Sequence, residues 1–153
     1  MPIDRQAKWY LREAQVSQTK TVWCNGVFDI IHASHVEIFA TARHLAGVEG
    51  RVIVGLDSDA KVRSSKGPER PINTFEDRKA VLKAIRYIDE VYEFDTREGL
   101  TNLIQLFRPD IMLLGGDWRH GDVVGREYCQ DVRFLDRRDK HSTTNIIRRC
   151  KGA

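Results

Sequence analysis

The sequence predicts an α/β domain built on a doubly wound, five-stranded parallel sheet, and three observations predict it. Short β-branched or apolar runs alternate along the chain with segments of helical periodicity, a pattern that calls for parallel strands covered by helices on both faces. The first such run leads through a glycine turn straight into a helix, at Asn25-Gly26-Val27-Phe28-Asp29-Ile30-Ile31-His32-Ala33-Ser34-His35. A length of 153 residues with 41% hydrophobic content suits one domain with a real core.

The chain opens with Trp9, Tyr10, Leu11 and Ala14 set among charges, so a leading amphipathic helix is expected at 4–18 within an N-terminal segment 1–19. The catalytic core is expected at 20–150. Thr21-Val22-Trp23-Cys24 reads as a buried strand. A helix at 33–46 follows from the spacing of Val36, Phe39 and Ala40. The apolar run 51–56 is the second strand, and Asp57 to Pro71 reads as a basic loop carrying Lys61, Arg63, Lys66 and Arg70. Thr74 with Asp77 approximates a capping box and starts a helix at 74–86. Strand 90–94, helix 98–107, strand 110–115, a short helix near 124–130, strand 132–136 and helix 143–149 complete the alternation.

Composition narrows the function. The formal charge is +3, and the last 21 residues hold seven Lys or Arg against Asp136 and Asp139. A locally basic end on an otherwise neutral body suits a compact anion better than a nucleic acid. Cys24, Cys129 and Cys150 are odd in number and show no CxxC spacing, as expected of free thiols in a reducing compartment. No apolar run approaches about 18 residues, and no signal-peptide core is visible near the start. A cytoplasmic protein that engages no membrane is expected. GxGxxG and GxxxxGK[ST] do not occur, which removes the main support for dehydrogenase and P-loop readings.

Parallel sheets bind ligands beyond the carboxyl ends of their strands, so the first turn is the expected floor of a crevice. His32 and His35 stand three residues apart at a helix start, on one face. That face also carries unpaired N–H groups and the positive end of the helix dipole. The spacing suits a phosphate clamp, and it also suits half of a zinc site. Arg78, in the first turn of its helix, opposes the dipole there and so points to a ligand or to a carboxylate partner. Leu113-Leu114-Gly115-Gly116-Asp117-Trp118 puts two glycines at a strand end, where a ligand can approach closely. Ser142-Thr143-Thr144 precedes an Ile-rich helix; one hydroxyl caps it, and three suit phosphate oxygens as well.

These residues carry a specific resemblance. Gly26-x-Phe28-Asp29-x-x-His32-x-x-His35 resembles the GxFDxxHxGH signature of the cytidylyltransferase-like nucleotidyltransferases, with Ser34 where the family has Gly. Ser142-Thr143-Thr144-Asn145-Ile146-Ile147 resembles the terminal motif of the branch that adenylylates heptose 1-phosphate, the adenylyltransferase domain of ADP-heptose synthase. Cytidylyltransferases for glycerol phosphate place Arg-Thr-x-Gly-Ile before the hydroxyls, where this chain has Arg138-Asp139-Lys140-His141. The heptose branch commonly has Lys before the paired glycines, where Leu114 stands here.

The resemblance implies a Rossmann-like fold and transfer of a nucleotidyl group from a nucleoside triphosphate, ATP favoured over CTP, to a phosphorylated acceptor. It implies His32, His35 and Lys66 as catalytic residues. Gly26, Val27, Phe28, Ser34, Gly116, Asp117, Ser142, Thr143 and Thr144 would hold the nucleotide, and Arg78 the acceptor. Mg2+ would arrive with the nucleotide, with no dedicated metal ligands in the chain. Glycerol 3-phosphate, phosphopantetheine or a mononucleotide are alternative acceptors. A nucleotide sensor without turnover is the alternative of another class, and a homodimer is compatible with all of these.

Overall fold

The computed structural model describes residues 19–136 and 142–152. The leading helix expected at 4–18, and the Arg138 to His141 stretch, lie outside the described residues. Five strands, β1 (Thr21–Gly26), β2 (Arg51–Asp57), β3 (Glu90–Phe94), β4 (Ile111–Gly115) and β5 (Asp131–Leu135), form one sheet in the order β3-β2-β1-β4-β5. All four pairings are parallel. This is the doubly wound Rossmann-like arrangement that the alternation predicts, and the order reverses direction between β1 and β4.

Strand alternation decides which side chain meets which helix layer. Val22 and Cys24, Val52 and Val54, and Ile111 and Leu113 face one way, onto Phe39, Ala42 and Leu45 of α1 (Ala33–Ala46) and Leu82 of α3 (Phe75–Ala84). Trp23, Ile53, Met112 and Leu114 face the other way, onto Leu100 and Ile104 of α4 (Arg97–Phe107). The three central strands, β1, β2 and β4, are buried on both sides, which is why their runs read as continuously apolar. The last helix, α5 (Thr143–Cys150), follows β5.

One helix departs from the expectation. Residues expected as a basic loop after β2 form α2 (Asp59–Lys66). Ser58 caps it, accepting the Lys61 N–H at 3.1 Å, and Asp59 at its start and Arg63 and Lys66 at its end complement the dipole. Val62 is its one buried residue, so no apolar period advertised it. The loop proper begins at Gly67, which adopts φ 101°. In place of the short helix expected near 124–130, a 3-10 turn spans Arg126–Tyr128.

Candidate active site

The carboxyl ends of β1, β2, β3 and β4 open into one cavity of about 620 Å3. Its floor is the turn after β1. Phe28 and Ile30 both adopt left-handed backbone angles, φ 45° and 54°, which are costly for side chains of this size and above all for a β-branched one. The buried carboxylate between them holds the turn in place. Asp29 accepts the backbone N–H of Ile72 at 2.7 Å and of Asn73 at 3.0 Å, and the Arg70 Nε at 3.3 Å. It therefore ties the turn to the loop after α2.

The strained turn delivers the two histidines to the start of α1. Their rings stack with centroids 3.7 Å apart, and Phe28 meets His35 edge-on at 5.4 Å. The His32 backbone N–H donates to His35 Nδ1 at 3.4 Å. A neutral His35 ring accepting at Nδ1 carries its proton on Nε2, which makes that nitrogen a donor. Both histidines line the cavity. So does Ser34, which is buried and whose hydroxyl has no hydrogen-bond partner among the described residues.

At α5 the three hydroxyls separate in role. Ser142 caps the helix by accepting the Asn145 N–H at 3.1 Å. Thr143 donates to the Asp29 carbonyl oxygen at 2.6 Å. Thr144 is exposed, and all three line the cavity. Of the five described helices, α2, α3 and α4 each carry an acidic residue in the first turn, whereas α1 and α5 carry none. Their positive ends are left for a ligand's charge.

Gly26, Val27, Phe28, His32, Ser34, His35, Lys66, Asp117, Ser142, Thr143 and Thr144 thus converge on the cavity as the sequence reading expects. Two expected residues do not line it. A Cβ on Gly116 would fall 2.3 Å from Asp136 Oδ1 and 3.2 Å from Asp136 Cα, so that glycine faces the end of β5 rather than the cavity. Its neighbour Gly115 faces the cavity instead, with open space where a Cβ would stand. Arg78, expected at the acceptor, is 1% exposed. Its guanidinium donates to the carbonyls of Asn73 at 3.2 Å, Val27 at 2.8 Å and Asp57 at 2.9 Å, and to Asp59 Oδ1 at 2.7 Å. The carboxylate partner is the reading that describes it: Arg78 joins the first turn to the end of β2.

The cytidylyltransferase-like family model matches residues 23–149, most of the chain. The chain belongs to the cytidylyltransferase-like family. Relatives include two proteins named "Bifunctional protein HldE", one from Campylobacter concisus at 42% identity over 92% of this chain and one from Hahella chejuensis at 43% over 95%. The chain spans only 29% and 31% of their lengths. Among solved structures, a lipopolysaccharide core biosynthesis protein from Thermoplasma volcanium has the same fold, with a TM-score of 0.61 at 18% identity over 81% of this chain and 100% of the other.

The cavity holds a thiol, Cys24, which is a poor nucleophile. Burial pushes Cys24 up to about 12. The cavity also holds Asp57, raised from the ordinary carboxylate value by burial and pulled partly back by Lys61 at 3.3 Å. Asp29 and Asp57 were missed as site residues in sequence. Asp29 stands inside the family signature, whereas Asp57 carries no local signal beyond its place at a strand's carboxyl end. Among the described residues no helix is long and apolar enough to cross a membrane.

Proposed function

We propose that this chain transfers AMP from ATP to a sugar 1-phosphate of the D-glycero-D-manno-heptose type, with release of pyrophosphate. The observation that carries the reading is the pair of helix N-termini without first-turn acids, α1 with its stacked histidines and α5 with its hydroxyls, both lining one cavity. The heptose-type terminal motif Ser142 to Ile147 supports the acceptor, and the relatives near 40% identity support the family.

The acceptor's phosphate oxygen attacks the α-phosphorus. The bond between that phosphorus and its bridging oxygen to the β-phosphate breaks, and pyrophosphate leaves with the electron pair. His32 and His35 hold the α- and β-phosphates, Lys66 grips the triphosphate, and the α5 N-terminus with Thr144 receives the leaving group. Catalysis is then positioning and preorganised charge stabilisation. Mg2+ would arrive with the nucleotide, held by the triphosphate's own oxygens. When bound, Mg2+ supplies charge neutralisation there.

A matrix of ATP and CTP against heptose 1-phosphate, glycerol 3-phosphate and other phosphorylated acceptors, read by pyrophosphate release, tests the reading. Turnover with ATP and heptose 1-phosphate above all other pairs is expected. Leu114 in place of the branch's Lys favours a second reading, with another phosphorylated acceptor; turnover confined to one would establish it.

A further inference from the structure

The phosphate clamp accounts for only part of the cavity. Two ion pairs line the rest: Asp57 with Lys61, and Arg97 with Asp122. They flank one apolar surface. Lys61 Nζ stands 5.7 Å from the Phe94 ring centroid, Arg97 opens α4 three residues after Phe94, and Leu100 lies one helical turn further on.

Stability does not explain either pair. The Arg97 and Asp122 side chains are 64% and 78% exposed, and an ion pair so open to water contributes little to folding. Asp57 is worse than neutral, because burial disfavours its charged form and Lys61 only partly offsets this. Charge narrows what the four groups can recognise. Their sum is zero, so they offer no net attraction to a second phosphate, which Lys66 and the helix ends serve better. Carboxylates accept hydrogen bonds from hydroxyls, guanidinium and ammonium donate to them, and an apolar plate covers the C–H face of a sugar.

We propose that Arg97 and Asp122, with the Asp57–Lys61 pair and the Phe94–Leu100 surface, form the subsite for the hydroxylated body of a phosphorylated sugar acceptor. This rests on the nucleotidyltransferase reading above and adds how the acceptor is chosen. The subsite holds the polyol while its phosphate reaches toward the clamp.

The test is calorimetry of heptose 1-phosphate binding to the full chain in the presence of α,β-methylene-ATP, for the parent, Arg97→Ala and Asp122→Asn. Loss of a hydrogen bond to a charged group should weaken the sugar phosphate about tenfold or more in each variant. The Kd for the ATP analogue should stay within about twofold, and the melting temperature should not move, since both side chains are exposed. Heptose 1-phosphate failing to bind the parent, binding the variants as tightly as the parent, or weakening only in step with the ATP analogue would each overturn the subsite. Pyrophosphate release is scored separately. Turnover with variant-insensitive sugar binding would sink the subsite alone; variant-sensitive binding without turnover would sink the catalytic reading alone.

Discussion

The Thr143 hydroxyl donates a 2.6 Å hydrogen bond to the carbonyl oxygen of Asp29, joining the last helix to the first turn across 114 residues of sequence. Asp29 lies between the two left-handed residues, so the bond helps to hold a strained backbone from outside. It also ties the α5 N-terminus to the turn that leads into α1. Thr143→Val keeps the side chain's shape and deletes the donor. It should cost about 1 kcal/mol in urea unfolding and raise the KM for ATP several-fold. Unchanged stability and unchanged KM together would remove the bond's role.

Arg78 is expected to behave as a structural residue. Its four hydrogen bonds end on three backbone carbonyls and one carboxylate, inside a side chain 1% exposed. Removing one partner of such a buried network costs about 3–5 kcal/mol, because the remaining groups lose their compensation. Arg78→Ala should therefore shift the denaturation midpoint strongly. Arg78→Lys should recover little of the loss, since an ammonium cannot reproduce the planar fork. A stable Arg78→Ala protein with only a raised acceptor KM would return Arg78 to the acceptor site.

Ser34 should trade stability against binding. Its hydroxyl is buried without a partner among the described residues, yet the side chain lines the cavity at the second position of α1. An unsatisfied buried hydroxyl costs about 1–3 kcal/mol, and the cost is recovered if the hydroxyl turns to a bound nucleotide. Ser34→Ala should accordingly raise the unfolding free energy by about 1 kcal/mol while weakening ATP several-fold. Thermal unfolding with and without ATP measures both. A variant that binds ATP as well as the parent would make the hydroxyl a bystander.

What the sequence disclosed follows from how each feature is encoded. The central strands announce themselves because both faces are buried, so Val52-Ile53-Val54 reads as a strand without any partner in view. The histidine pair is equally local, with His32 and His35 separated by less than one helical turn. α2 was hidden because its cue was a cap, Ser58, with a single buried apolar residue behind it. Arg78 was misread because its chief partners are backbone carbonyls at 27, 57 and 73, which leave no mark on side-chain patterns. The role of Asp29 was out of reach for the same reason: its main partners are amides 43 and 44 residues away.

The histidine pair should prove functional and dispensable for folding. Both rings are half-buried at the cavity wall, and the helix behind them is anchored by Phe39, Ala42 and Leu45 rather than by the pair. His32→Ala and His35→Ala should each lower kcat about a hundredfold or more, the scale of one preorganised charge-stabilising donor. Their circular dichroism and melting curves should stay close to the parent's. The double variant should lose less than the product of the single losses, since rings stacked against each other and serving one triphosphate act as a unit. Near-normal turnover in a folded double variant would refute the clamp.

Asp57 gives a pH-dependent signature whose sign is fixed by the direction of its shift. Burial raises its pKa in the folded protein above the unfolded value near 3.9, with Lys61 opposing. A raised carboxyl favours folding fully below the unfolded pKa, where both states are protonated, and still favours it between the two pKa values, where the folded state alone holds the proton. That contribution is lost as pH climbs through the raised folded value, and at neutral pH the buried charge costs stability. Asp57→Asn removes the titration but keeps the shape, and Lys61, 31% exposed, remains hydrated without it. The variant's stability relative to the parent should therefore improve from pH 3 to pH 7. Urea unfolding at both pH values measures it. A relative stability that falls over the same range would mean that Lys61 outweighs burial and that Asp57 is held in its charged form for the fold.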